Sequence, residues 1–225
     1  MMYVLHGVPD WGSQVVRMAL TEMAVPFRFA EVDHAAGGLT APDYLALNPF
    51  ARVPTLETPE GPIFETGAIL LALAERHARL APAPGAPDRG AFLTWFIFVV
   101  NSLHPSAMAL VYPDRPGGLA AKRTVADTAH AGLRGQLAAL EAVAAQGLWW
   151  LSPDRPSITS LYVAMLLRWI KAFPAYAAHS IASRDYPSLH AMARGLEDRP
   201  SLRAALAAEG LSSPAYSDPP CETVD

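Results

Sequence analysis

Cysteine is almost missing from this chain: Cys221 is the only one among 225 residues. An internal disulfide and any cysteine-based metal cluster are thereby excluded. Charge is also sparse. Asp, Glu, Lys and Arg make up 17% of the residues, the formal net charge is −4, and the basic side chains are scattered, which argues against a nucleic-acid partner. His34, His130, His179 and His190 stand at no ligand spacing from carboxylates, so no metal site is expected. The stretch from Met1 to Leu5 is too short for a leader and is patterned as a strand, which makes the cytoplasm the expected compartment, with no membrane partner. Apolar residues are what the chain has in quantity. They account for 52% of it, enough for a sizeable core in one or two domains.

The periodicities divide the chain into two unlike halves. Residues 2 to 6 read as a strand, 13 to 24 as a helix with Val15, Val16, Met18, Ala19 and Leu20 apolar, and 27 to 32 as a strand alternating Phe27, Phe29 and Val32. After Gly37-Gly38 and a short helix around 41 to 47, residues 53 to 58 and 62 to 64 read as a hairpin turned at Glu60-Gly61, and a helix over 67 to 78 follows. This βαβ-α-ββα order is the one an α/β thioredoxin-like domain requires, here over residues 1 to 80. The proline-rich run 81 to 88 cannot hold a helix or a ladder and reads as a linker. Residues 89 to 212 read as an all-α helical bundle, with helices near 88 to 111, 119 to 145, 158 to 171, 187 to 197 and 201 to 208; 213 to 225 reads as a flexible tail. Leu133, Leu137, Leu140 and Val143 form a core stripe, and Ser157 with Ser160 opens the most apolar helix as a cap.

Two short motifs carry chemistry. In Arg52-Val53-Pro54-Thr55-Leu56, Pro54 removes a donor at a strand start, where an extended ligand can pair with the backbone of Val53; a cis bond would aim those groups outward. In Glu65-Thr66-Gly67-Ala68-Ile69, the Thr66 hydroxyl joins first-turn N–H groups whose dipole favours an anion, and Glu65 can take an ammonium. Each motif alone is equally compatible with an edge proline and a plain helix cap.

Together with Asn48-Pro49, Phe64 and the run through Leu73, Glu75 and His77, these residues resemble the glutathione-binding half of the glutathione transferase superfamily, in parts its bacterial beta-like and theta-like classes. Where the family carries Glu-Ser, this chain has Glu65-Thr66; where it carries an Asp in the helical half, this chain has Ser160. The likeness spans roughly residues 2 to 208. It implies a homodimer that takes glutathione as co-substrate, with no other cofactor, and joins its thiol to a small apolar electrophile in a detoxification-type reaction. Gly12, Arg52, Val53, Pro54, Glu65 and Thr66 would bind the tripeptide, and Trp11, Phe98 and Tyr112 would line the electrophile side, packing being the alternative for the last two.

The thiol, whose pKa is about 8.5 in a free cysteine, needs a donor that favours its thiolate. In the first loop Ser13 is the only hydroxyl, and the chain is out of register with the Tyr, Ser or Cys that family classes use. Three readings stay open: Ser13 as the donor, backbone N–H groups near Gly12 and Ser13 in its place, or a pocket without transferase chemistry. His104, next to Pro105, matches a Leu-His step of the beta-like class and would donate to sulfur or act as a base; an exposed or core-satisfied ring is the alternative. A glutathione-dependent isomerase of the maleylacetoacetate type and a non-catalytic ligand carrier are the rival functions.

Overall fold

The computed structural model describes residues 2 to 223 and resolves two compact units, one of residues up to Arg89 plus Pro200–Leu211 and the other of Gly90–Arg199 plus the residues from Ser212 onward. In the first unit, β1 (Tyr3–Gly7), β2 (Phe27–Glu31), β3 (Thr55–Thr58) and β4 (Gly61–Phe64) form one sheet in the order β2-β1-β3-β4. Strand β1 runs parallel to β2 and antiparallel to β3, and β3 pairs antiparallel with β4 through a turn closed by Thr58 and Gly61. The parallel pair is possible because α1 (Ser13–Glu22) supplies the crossover. Leu5, Leu56, Val15, Val16, Met18 and Leu20 are buried together with Ile69, Leu70 and Leu73 of α3 (Thr66–His77). A four-residue helix α2 (Pro42–Leu45) precedes β3. Helix α3 begins at Thr66, one residue earlier than the periodicity indicates, so Thr66 is its first residue and Glu65 its cap position.

The second unit is helical. Helix α4 (Arg89–Phe98) passes through a π-helical turn, Val99–Leu103, into α5 (His104–Val111). Pro105 accounts for that widening, since it cannot donate to the preceding turn and its ring collides with the carbonyl four residues back. By length and composition Arg89–Val111 could cross a membrane, but Phe92, Phe96, Val99 and Leu103 are core residues of this unit. Helix α6 (Asp114–Ala144) contains a non-helical residue at Gly118, whose φ of 69° lies in the left-handed region, and buries Leu133, Leu137 and Leu140 completely. Helix α7 (Ile158–Ala172) is capped by a reciprocal box: Ser157 Oγ accepts from the N–H groups of Thr159 and Ser160, and Ser160 Oγ accepts from Ser157 N–H. Helix α8 (Pro187–Glu197) completes the bundle.

Two boundaries differ from the sequence reading of 89 to 212 and 213 to 225. Helix α9 (Pro200–Ala208) belongs to the first unit, where it packs on α1; Arg17 and Glu22 of α1, only 7% and 8% exposed, are covered as a result. Ala215, Tyr216 and Ser217 are buried in the second unit rather than flexible. The reason is the Glu197 carboxylate, itself buried, which accepts the N–H groups of Tyr216 and Ser217 and the hydroxyl of Ser217. The last two residues of the expected tail lie outside the described residues.

Candidate functional site

A polar network beneath the β3 entry shapes the first part of the site. Asn48 and Thr55 are buried, and the Arg52 carbonyl accepts from the Tyr44 hydroxyl at 2.6 Å and from Asn48 Nδ2 at 2.8 Å. Thr55 Oγ1 receives Asn48 Nδ2 at 3.2 Å and bonds the Tyr44 hydroxyl, whose pKa burial pushes up. With its preceding carbonyl anchored, the next residue is held out of the ladder. The Val53–Pro54 peptide is cis, and among the described residues neither the N–H nor the C=O of Val53 has a hydrogen-bond partner. An orphaned donor and acceptor on one residue can accept an extended peptide as an added strand. The Arg52 side chain is exposed beside them.

The second part is the start of α3. Glu65 has φ 71° and ψ 115°, a region that disfavours any residue with a β-carbon, and its exposed side chain caps nothing. The first helical bond runs from Ile69 N–H to the Glu65 carbonyl at 3.0 Å, so among the described residues the N–H groups of Thr66, Gly67 and Ala68 have no acceptor. The Thr66 hydroxyl has no partner among them either. This turn is arranged for an anion.

The third part is the β1–α1 loop, and Gly12 joins it to the other two. A β-carbon built on Gly12 would lie 3.4 Å from Pro54 Cδ and 3.6 Å from both Thr66 Oγ1 and the Val53 carbonyl oxygen. Gly12 is the cap position of α1, and among the described residues its N–H and that of Ser13 have no acceptor. Two helix starts therefore meet at one point, where among the described residues the N–H groups of Gly12 and Ser13 on one side and of Thr66, Gly67 and Ala68 on the other are unspent.

Ser13 is corrected by this geometry. Its side chain is fully buried; the hydroxyl donates to the Val8 carbonyl at 2.9 Å and accepts the Val8 N–H at 3.1 Å. A hydroxyl has a single proton, and this one is given to Val8 inside the loop, so Ser13 does not offer it to a thiol. The same packing explains Gly7, where a β-carbon would fall 2.3 Å from that of Ser13. Trp11 is half-buried, lies 4.8 Å from the His34 ring, and packs with Val53 against Val8, Val32 and Tyr44.

His104, Phe98 and Tyr112 lie in the helical unit. His104 is half-buried; its Nδ1 bonds the buried Tyr162 hydroxyl at 2.6 Å, and the ring sits edge-on to Tyr162 and Trp169. Phe98 packs on Trp95, and the Arg115 guanidinium covers the Tyr112 ring at 3.6 Å. Tyr44 and Gly7 escaped the sequence reading. No local pattern marks a tyrosine whose partners are eight and eleven residues away, whereas a glycine at a strand end facing a serine is a signal that could have been read.

Comparison with known proteins agrees with this architecture. Residues 1–75 match the glutathione S-transferase N-terminal domain family. The chain is 30% identical over 223 residues to glutathione S-transferase GST-4.5 of Xanthomonas campestris, covering 92% of this chain and 99% of that protein. It is 34% identical over 118 residues, 51% of its length, to the GST-like protein YncG of Escherichia coli. Of several curated relatives the chain spans only about a third to just over a half, 57%, 34% and 50% in three cases. A sphingomonad glutathione S-transferase solved in complex with glutathione superposes with a TM-score of 0.73 at 28% identity, over 93% of this chain and all of that one. The chain belongs to the glutathione S-transferase family.

Proposed function

We propose that the first unit binds glutathione and that the protein transfers its thiol to a small apolar electrophile. The single observation that carries this reading is the meeting of Val53, Thr66 and the α1 start around Gly12. The cysteinyl part of the tripeptide pairs with the open N–H and C=O of Val53, the γ-glutamyl carboxylate rests on the Thr66 hydroxyl and the α3 N–H groups, and Glu65 takes the ammonium. Arg52 pairs with the glycyl carboxylate.

The sulfur then falls to the amides of Gly12 and Ser13. Hydrogen bonding to the charged form together with the α1 dipole lowers a thiol pKa. The thiol proton leaves to water, the thiolate forms a carbon–sulfur bond, and the electrophile either expels its leaving group or takes up a proton. This scheme assigns no step to His104, whose Nδ1 is bonded to the Tyr162 hydroxyl. A glutathione carrier without turnover is the second reading, favoured by the internal commitment of the Ser13 hydroxyl.

Retention on immobilised glutathione, measured beside conjugation of a chromogenic aryl halide, tests both. Retention with turnover supports the transferase, retention alone supports the carrier, and neither at a glutathione concentration of about 1 mM refutes both.

A further inference from the structure

Behind the β1–α1 loop lies a buried polar cluster that the proposed chemistry does not use. Glu209, immediately after α9, is 6% exposed, and its Oε2 accepts the Asp10 N–H at 2.7 Å. Its Oε1 stands 2.5 Å from Arg17 Nε, at an angle that makes the contact an ion pair rather than a directed hydrogen bond. Arg17 is fixed on two further sides, by the Ala208 carbonyl at 3.2 Å and by the Phe29 ring beneath its guanidinium at 3.7 Å. Gln14, wholly buried on the first turn of α1, reaches toward the Asp10 carboxylate.

Asp10 has φ 59°, a left-handed conformation that is uncommon outside glycine, though aspartate adopts it more readily than most residues. The next two residues are Trp11 and Gly12. A carboxylate whose burial costs desolvation is here spent on the Asp10 N–H and on Arg17, both of them at or beside the β1–α1 loop.

We propose that Glu209 is a positioning residue for the thiol-side loop: by holding Asp10 N–H and Arg17 together it sets the turn from which the Gly12 and Ser13 amides are presented beside Pro54 and Thr66. Burial raises the pKa of this carboxylate, while the Asp10 N–H and Arg17 lower it. The group is thus held in place at a net cost. Its position 199 residues from Asp10 makes the C-terminal segment of the chain a working part of the first loop.

The inference rests on the glutathione reading, and its test has an arm that does not. Amide hydrogen exchange is followed in the full-length parent, Glu209→Gln and Glu209→Ala without ligand. In Glu209→Ala, exchange at Asp10 to Ser13 accelerates about tenfold or more, while β3 and α3 keep parental rates; Glu209→Gln, whose amide oxygen still accepts the Asp10 N–H, stays within about threefold. With glutathione bound, the thiolate absorbance of Glu209→Ala titrates about one pH unit higher than that of the parent, and kcat falls about tenfold with the glutathione KM within about twofold. Unchanged loop exchange, or acceleration spread evenly over α1 and α9 with an unaltered thiol pKa, overturns the proposal. Should Glu209→Ala not fold, the parent and Glu209→Gln decide: an Asp10 amide exchanging as fast as an open loop in the parent refutes it, and strong protection in the parent that Glu209→Gln retains supports it. A parent that binds no glutathione refutes the functional reading, and the exchange arm still decides the role of Glu209.

Discussion

The Thr66 hydroxyl oxygen lies 3.6 Å from the point where a β-carbon would sit on Gly12, which brings the starts of α1 and α3 together although their residues are more than fifty positions apart. Gly12 has φ −56° and ψ −18°, values open to any residue, so its lack of a side chain is not a backbone requirement. Gly12→Ala, whose β-carbon meets Pro54 and Thr66 at ordinary contact distance, therefore folds with little loss of stability while its methyl group takes the space between them. Glutathione affinity measured by calorimetry should fall at least about tenfold, some 1.4 kcal/mol. Parental affinity would move the ligand elsewhere.

The two first-turn hydroxyls should separate by experiment. Thr66→Val removes a ligand hydrogen bond and weakens glutathione binding by about 1 kcal/mol with the melting temperature nearly unchanged. Ser13→Ala strands the Val8 N–H inside the loop, leaves the Val8 carbonyl only the Trp11 N–H, and costs about 1–3 kcal/mol of folding stability. Denaturant titration beside calorimetry gives both numbers; a Ser13→Ala protein as stable as the parent would restore a ligand role to that hydroxyl.

Glu65 pairs strain with function, so one substitution should move stability and affinity in opposite directions. Glycine accepts φ 71°, ψ 115° without a β-carbon clash, and Glu65→Gly is expected to stabilise the fold by about 1 kcal/mol. It also deletes the carboxylate assigned to the ammonium, so the glutathione Kd rises. A variant that gains stability and loses no affinity shows that Glu65 meets no ligand.

Acid should destabilise the protein before its carboxylates titrate. His77 and His130 both have pKa values below the ordinary 6.5, chiefly through burial, aided by Arg76 in the first case and by His179 and Arg134 in the second. A depressed base binds its proton in the unfolded chain first, so stability is held above about pH 6.5 and is lost as pH falls below it. Melting temperatures from about pH 7.5 to 5.5 should fall, and His130→Gln should flatten the slope. Parallel curves for parent and variant would assign the dependence to other groups.

Much of the fold was legible because its signals are local. The alternation of Phe27 and Phe29, the three- and four-residue steps of Leu133, Leu137 and Leu140, and the Ser157–Ser160 box each act over one or two turns of chain. Helix α9 shows where that fails. An amphipathic stripe states that a helix must pack, without naming the surface, and only α1, with Arg17 and Glu22 needing cover, received it.

The chain order of strands and helices, the Val-Pro step and the acid-hydroxyl pair at a helix start were determined by sequence alone, since propensity and periodicity are properties of neighbouring residues. Tertiary structure decided which groups remain available. It gave the Ser13 proton to Val8, left the Thr66 hydroxyl without a partner among the described residues, and brought Glu209 to Asp10, because a donor is spent or spared according to what the fold carries within about 3 Å of it.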